Sequence, residues 1–346
     1  MIDNDLLLWV CLVELVIFVS LLLLLMARSI VPAVRGPRQK RQLQVAETEL
    51  IQALESGKMA PYSFWCLNPA HQVEAMFELA PSVSGQRRAD LAVMALETGL
   101  TGRARRWTQS DRWSRRIRGA ELLRILGESG PVTELLHDPR PEVRIRTAEW
   151  ATVEPSRKVV EELCSCLSDP NPGVRFATMD SLLRIGGAAV GPLSTLIGEA
   201  SDPMTLIAGL RVAGGIGDPR LVSLAENRCR DRHPGVRAAA AAACGNLGGE
   251  VASATLRGLM SDPEPRVRVE AVTALGRNNH WPSAPDIAPL LEDPEWTVRK
   301  AAAIALGQLG AIGSTYLRRI ARGDDALASR VARQALGSGA TSQGRN

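Results

Sequence analysis

The sequence predicts an all-α protein: an α-solenoid of about seven to nine helix pairs, preceded by one transmembrane helix. Three observations carry this prediction. A phrase of the form Asp-Pro-x-Pro-x-Val-Arg recurs along the last two hundred residues, and apolar residues follow each copy at helical spacing. An apolar run of 21 residues also lies near the N-terminus. A fixed period of roughly 20 to 50 residues is the signature of stacked-repeat proteins.

The apolar run Leu6–Met26 predicts a single membrane-spanning helix, with residues 1–5 outside the cytoplasm. As a helix it would be about 30 Å long, which is the thickness of a bilayer core. A cleaved signal peptide fits less well, because the run is long, acidic residues precede it and no Ala-x-Ala site follows. Basic residues follow the run and none precedes it, so we expect the repeats to face the cytosol at the cytoplasmic membrane.

Residues 27–44 form a predicted juxtamembrane linker, whose basic residues between Arg28 and Arg41 are suited to anionic headgroups. Glu14 lies within the apolar run, where a carboxylate is costly unless it meets a partner. It predicts a contact between helices inside the membrane, through self-association or with a larger membrane protein. The alternative is a protonated Glu14 that the surrounding leucines tolerate.

Residues 45–109 contain helical pieces without the recurring phrase, and we interpret them as atypical repeats that cap the array. The segment from Gly102 to Arg118 is rich in arginine, with two tryptophans among the arginines. Arginine and tryptophan together are typical of protein-binding hot spots and of lipid-facing patches, and less often of nucleic-acid sites. A solvated helix surface remains the alternative. The candidate binding residues here are Arg103, Arg105, Arg106, Trp107, Arg112, Trp113 and Arg115.

Residues 110–338 carry the repeats, and residues 339–346 form a polar tail that we expect to be disordered. Successive Asp residues from Asp138 are 31, 33, 29, 31, 31 and 31 residues apart, if Asp202 is counted as a degenerate copy. The prolines suit a loop and the first turn of a helix, since proline lacks an N–H. Gly245, Gly276 and Gly307 are predicted to end these helices as left-handed caps.

The phrase resembles the short HEAT-like repeats of the phycobilin-lyase type, over about residues 110–338. The resemblance implies that the Asp and Arg of each phrase bond to the turns and to the adjacent repeat, forming a ladder. Asp202 departs from this pattern, with Ala208 where an arginine is expected. The residues carried over are Asp138, Arg144, Asp169, Arg175, Asp231, Arg237, Asp262, Arg268, Asp293, Arg299, Asp324 and Arg330.

The resemblance also brings enzymes into consideration, and the residues disfavour them. A di-iron hydroxylase built from such repeats uses His-Glu pairs, and none of the four histidines here is followed by Glu. DNA glycosylases with such repeats need access to free duplex DNA, which a membrane tether opposes. The net charge of +4 is too small to indicate nucleic-acid binding. The six cysteines lack metal-site spacing, so we expect reduced buried thiols, no cofactor, no metal and no enzymatic activity.

The leading functional hypothesis is therefore a membrane-anchored scaffold or adaptor that binds a protein partner on its concave face, as solenoids do. That partner would belong to a membrane complex with an integral enzyme or transporter. The alternative is a lyase-like or cofactor-maturation factor. The charged positions of mixed sign that we assign to partner binding on the repeats are Arg146, Glu149, Arg184, Glu270 and Lys300.

Overall fold

The structure is a computed structural model that describes residues 41–56, 59–83, 85–128 and 130–343. Every regular element in these ranges is a helix, and the chain divides into two compact units between Gly130 and Pro131. The predicted anchor at residues 6–26, the residues before it, Glu14 and the linker up to Lys40 lie outside the described residues.

The described residues of the first unit form six α-helices. They are α1 at residues 41–56, α2 Tyr62–Trp65, α3 Pro69–Leu79, α4 Gln86–Glu97, α5 Leu100–Thr108 and α6 Trp113–Leu126. Residues 41–44 of the predicted linker 27–44 are helical, so helical structure starts earlier than we expected.

Helices α5 and α6 pack so closely that a Cβ on Gly119 would lie 2.7 Å from the Ala104 carbonyl oxygen. Arg88 joins α4 to the end of α6, because its Nε donates to the Ile125 oxygen at 2.9 Å. These contacts hold α6 in the first unit. The predicted boundary between residues 109 and 110 is therefore wrong, since it would separate α5 from α6.

The second unit is a stack of seven helix pairs. The first helices of the pairs form the A layer, and the second helices form the B layer. The A layer is α7 Val132–Leu135, α9 Arg157–Ser165, α11 Val190–Glu199, α13 Val222–Arg228, α15 Glu250–Leu259, α17 Ala284–Ile287 and α19 Gly310–Ile320. The B layer is α8 Pro141–Trp150, α10 Pro172–Ile185, α12 Pro203–Ile216, α14 Pro234–Leu247, α16 Pro265–Arg277, α18 Trp296–Gln308 and α20 Ala326–Gln343.

In the middle of the stack, the recurring Asp-Pro-x-Pro motif forms the loop and the first turn of each B helix, as the sequence indicates. In α10, Pro172 occupies the first helical position, and the Asn171 side chain accepts from the Gly173 N–H at 2.8 Å. Asp169 precedes the cap and its carboxylate accepts from the Asn171 N–H, also at 2.8 Å. Proline costs nothing there, because the first N–H groups of a helix have no intrahelical acceptor.

The glycines predicted to cap the B helices instead lie inside them. A Cβ on Gly245 would lie 2.4 Å from the Cβ of Ala274, and one on Gly276 would lie 2.7 Å from the Cα of Ala305. Helix α14 ends at Gly248, whose φ is 75°, so the cap falls three residues later than predicted. Neighbouring B helices thus meet backbone to backbone along a seam of small residues.

The A helices are spaced more widely than the B helices. A groove of about 470 Å³ separates α9 from α11, and one of about 530 Å³ separates α15 from α17. A stack curves toward its more closely spaced layer. The free face of the B layer is therefore the concave side of the second unit.

Two further segments bear on the predictions. Helix α20 continues to Gln343, so the predicted disordered tail 339–346 is helical in its first five residues. Among the described residues, Pro172–Glu199 is long and apolar enough to cross a membrane. It comprises α10 and α11 with a break at Gly186, whose φ is 64°, and Leu182, Leu193 and Ile197 are buried in the repeat core. We assign it to the stack.

Candidate interaction surface

The ladder arginines connect consecutive repeats. Arg144 donates to both carboxylate oxygens of Asp169 at 2.7 and 2.9 Å, and its Nη1 donates to the Asp138 carbonyl at 2.7 Å. Arg237 holds Asp262 in the same manner, and Arg268 holds Asp293. Each guanidinium thus bonds to the backbone of its own loop and to the carboxylate of the next repeat, 25 residues away.

The electrostatics of a ladder step favour the charged pair. Burial raises the pKa of Asp169, but hydrogen bonds from Arg144 and from the Asn171 N–H outweigh it, so the pKa lies below its ordinary value. The same balance lowers the pKa of Asp262 beside Arg237. The hydrogen bonds to these carboxylates raise the pKa of both arginines.

The irregular repeat has a different register from the one the sequence spacing indicated. Asp202 is the N-cap of α12, where its Oδ2 accepts from the Thr205 N–H at 2.8 Å. It is therefore equivalent to the cap residue Asn171, 31 residues earlier. The ladder position is occupied by Ala200, and Leu206 rather than Ala208 replaces the arginine. The period is 31 throughout, and the ladder lacks its carboxylate at this step.

Arg228, in the A layer, forms hydrogen bonds across the two ladder steps that lack an Asp–Arg pair. It lies at the end of α13 and donates from Nε to the Ile197 carbonyl at 2.9 Å and from Nη2 to those of Gly198 and Ala200 at 3.1 and 3.2 Å. Its Nη1 lies 3.4 Å from an oxygen of Asp231. Asp231, which has no ladder arginine in the preceding repeat, is thereby tied to the last turn of α11.

The ladder ends before the last repeat. Asp325, not Asp324, starts α20, since its carboxylate accepts from the N–H groups of Leu327 and Ala328. Arg299 donates to the Asp293 and Pro294 carbonyls, and its guanidinium lies 5.7 Å from the Trp296 ring centroid. Asp324 and Arg330 are exposed. Their assignment to the ladder is wrong, because the shifted cap moves the start of the helix by one residue.

The free face of the B layer carries a row of equivalent side chains 31 residues apart, each directly after the ladder arginine position. We call it the inner row. Phe176 is 74% exposed, and Ile145, Ile207 and Val269 are half-buried. Five of the six members are apolar, so the row forms an apolar line across neighbouring repeats. The inner row is Ile145, Phe176, Ile207, Ala238, Val269 and Lys300.

Helix geometry explains this placement. One side of each B helix faces the A layer and two flanks contact neighbouring B helices, so a single stripe remains free. On α16 this stripe is Arg266, Val269, Thr273 and Arg277, at helical spacing of three and four residues. The same positions on α18 hold Thr297, Lys300, Ile304 and Gln308, which are all exposed.

Charge is unevenly distributed along the free face. At its N-terminal part, Arg146 bonds to Glu149 at 2.8 Å and Arg184 lies 3.8 Å from Asp180. Beyond α10 the exposed charges are basic, with Glu270 as a half-buried carboxylate on α16. These basic side chains are Arg211, Arg266, Arg277 and Lys300.

The structure therefore places Glu149, Arg184 and Lys300 on the free stripe of the B helices, and Arg146 and Glu270 half-buried beside it. Sequence reasoning missed the inner row itself and the exposed Trp296 and Ile304. The signal was present, because an apolar residue follows the ladder position in five consecutive repeats. It was overlooked because an exposed apolar position is easily taken for part of the core.

The arginine-rich segment lies at the α5–α6 hairpin of the first unit. Arg105, Arg106, Arg112, Arg115 and Trp113 are exposed. Arg105 bonds to Glu128 at 3.1 Å. Arg103 and Trp107 are half-buried on α5.

Arg116 reproduces the ladder's loop contact, since its Nη1 donates to the Ser110 carbonyl oxygen at 2.8 Å.

The four cysteines of the second unit, Cys164, Cys166, Cys229 and Cys244, are buried and free. Burial raises the pKa of Cys164 to about 12 and that of Cys166 to about 11, so both thiols are protonated at neutral pH. Within the described part of the chain, no group of three or more His, Cys, Asp or Glu side chains could hold a metal ion.

Comparison with known families identifies the repeats. The sequence profile of the HEAT repeats family matches residues 130–208, 192–268 and 253–337, which together cover more than half of the chain. The chain belongs to the HEAT repeat family. Comparison with curated proteins gave no match.

Two solved structures are similar to this chain at low sequence identity. The karyopherin Kap121p bound to the SUMO protease Ulp1p matches with a TM-score of 0.55 and 12% identity, over 79% of this chain and 36% of that chain. The CpcE–CpcF complex of phycocyanin lyase from Nostoc sp. PCC7120 matches with a TM-score of 0.33 and 22% identity, over 69% of this chain and 94% of that chain. This chain spans less than half of the karyopherin, and the likeness extends to the fold alone.

Proposed function

We propose that this protein is a membrane-anchored scaffold whose HEAT repeats bind a protein partner in the cytosol and hold it at a membrane complex. The observation that carries the proposal is the inner row on the concave side of the second unit, in which Phe176 is exposed and the other apolar side chains are half-buried. Solenoids of this family use such extended concave surfaces for binding. Phe176 is the residue on which we expect binding to depend most, since exposed aromatic side chains dominate interface energetics.

The charges of the free face define the partner further. The arginines and Lys300 beyond α10 favour a partner segment with acidic residues beside its apolar ones. The acidic and basic residues near α8 and α10 neutralise each other in pairs, which disfavours a continuous polyanion such as nucleic acid. The partner is therefore a protein whose bound segment is apolar with an acidic flank.

The membrane part of the proposal rests on the sequence of residues 6–26 and on the basic residues after it. Localisation at the cytoplasmic membrane and a contact through Glu14 follow from the same stretch. The absence of enzymatic activity is also proposed, and the protonated state of the buried thiols supports it. A lyase-like or cofactor-maturation factor remains the second candidate, and a chromophore or metal on the purified full chain would favour it.

The test of the scaffold is recovery of partner proteins from detergent-solubilised membranes by the full chain and by two variants. Phe176→Asp places a charge in the inner row, whereas Val251→Asp places one on α15 at a side chain that is 67% exposed. We expect Phe176→Asp to reduce recovery about tenfold or more, as loss of an interface aromatic does, and Val251→Asp to leave it unchanged. Equal recovery by both variants would exclude the concave face as the binding site.

A further inference from the structure

The start of the first unit exposes an apolar edge. Helices α1 and α2 flank a groove of about 550 Å³ lined by Arg41, Val45, Tyr62, Cys66 and Leu67, among others. Tyr62 is 83% exposed, and Val45, Met59 and Trp65 are also exposed. We call Val45, Met59, Tyr62 and Trp65 the N-terminal apolar edge.

This edge is unusual for the end of a repeat array. Terminal repeats normally carry a polar outer face, because no further repeat covers them. Here two aromatic side chains and two aliphatic ones are exposed within the first described helices. Clustered exposed apolar side chains indicate a surface that a membrane or another molecule covers.

The chemistry of the edge matches the interface of a bilayer. Tyr and Trp have an apolar ring with a polar atom and concentrate at the level of the headgroups. Arg41 lines the same groove, and Arg28, Arg35, Arg38 and Lys40 precede it in the sequence. The carboxylate adjoining the groove, Glu49, accepts a hydrogen bond from Ser63. The edge therefore combines apolar side chains with the Arg41 cation, and further basic residues precede it in the sequence.

The chain before the edge limits its distance from the membrane. The predicted span ends at Met26 and the described part of α1 starts at residue 41. The residues between them extend to roughly 50 Å at most, from about 3.5 Å per residue. In an anchored chain this edge therefore stays within roughly 50 Å of the end of the span.

We infer that the N-terminal apolar edge docks onto the surface of the anionic bilayer, with Tyr62 and Trp65 at headgroup depth and Arg41 among the lipid phosphates. The inference rests on the proposed membrane anchoring. It adds a second membrane contact, through which the start of the first unit is fixed at the surface rather than held only by a flexible tether.

The experiment places a nitroxide spin label on Cys66, which lines the groove and is exposed. The full chain with Cys11→Ala is reconstituted in nanodiscs of phosphatidylglycerol and phosphatidylcholine, and the other described cysteines are buried. Collision of the label with oxygen is compared with its collision with a water-soluble nickel chelate. The control carries Cys66→Ser and Ser223→Cys, which places the label on exposed α13 of the second unit.

We expect the ratio of oxygen collisions to nickel-chelate collisions to be severalfold higher for the label at Cys66 than for the control label. Tyr62→Glu should lower this ratio, because the label moves toward water. Phe176→Glu, at a similarly exposed aromatic residue, should leave the ratio unchanged. Equal values at Cys66 and at the control would overturn the inference, as would spin–spin broadening that dilution with unlabelled chain removes, because a second copy would then cover the edge. Loss of the chain from membranes at alkaline pH would instead reject the anchoring itself.

Discussion

At the scale of single residues, Arg144, Arg237 and Arg268 each satisfy at least three acceptors with one guanidinium. The side chains of Arg268 and Asp293 are only 11% and 6% exposed, so both charges depend on each other. Removing one partner of such a pair leaves the other charge buried without its counterion, which is the costly case.

We therefore expect Arg268→Ala to lower the free energy of unfolding by roughly 3 kcal/mol, the magnitude for breaking a mostly buried pair. Urea unfolding followed by circular dichroism measures it. Arg220 is the matched control, because it also forms a two-pronged bond, to Asp218, but is exposed. Arg220→Ala should leave the midpoint unchanged, and an equal loss in both variants would contradict the role of burial.

The ladder also predicts the response to acid. The pKa values of Asp169 and Asp262 are lower in the folded chain than the ordinary value of about 4, so their contribution is fully present above that pH. It is lost as pH falls through the lowered pKa, because protonation breaks the bonds to arginine. Stability should decrease below about pH 4. Asp262→Asn should be less stable at pH 7 and should flatten this decrease in thermal unfolding experiments; an unchanged slope would exclude Asp262.

At the scale of elements, the sequence predicted the helix pairs and their loop phrase because both depend on local rules of proline and apolar spacing. It misplaced features that depend on neighbouring repeats. Gly245 and Gly276 were taken for caps, although packing against Ala274 and Ala305 explains them. Asp202, which we counted as a degenerate copy of the repeat motif, is instead an N-cap, a position that also suits an Asp-Pro pair. The free face could be derived only once the register of 31 residues was fixed.

The seam predicts opposite effects of one substitution at equivalent positions. Gly245→Ala should destabilise by about 1–3 kcal/mol, since the added methyl overlaps the Ala274 Cβ. Gly307 lies 62 residues later, at the same position of α18, and a Cβ there meets nothing within 4 Å. Gly307→Ala should be stabilising by about 0.5–1 kcal/mol, because alanine favours the helix. Denaturant midpoints measure both changes in stability. If the two variants changed stability in the same direction, close packing at the seam would not be supported.

At the scale of the whole molecule, the cooperativity of the stack depends on the interfaces between neighbouring repeats. The stability of a repeat protein is approximately a sum over repeats and nearest-neighbour contacts, so a weak interface is where the array opens first. Ala200 and Leu206 remove ladder groups from two consecutive steps, and Arg228 replaces them with bonds to backbone carbonyls. This position lies between Phe176 and Ala238 of the inner row, so local opening there would interrupt the proposed binding face.

We expect amide hydrogens of α11 and α12 to exchange faster than those of α16, where the ladder is complete. Ala200→Asp should slow that exchange about fivefold, because the new carboxylate lies at the ladder position. It gives Arg175 the partner that Arg144, Arg237 and Arg268 have. A fivefold change corresponds to roughly 1 kcal/mol, as for a partly exposed pair. Ala200→Asn is the uncharged control and should change the exchange little. If Ala200→Asp and Ala200→Asn exchange alike, charge pairing along the ladder does not limit opening, and the packing of Arg228 on α11 must control it instead.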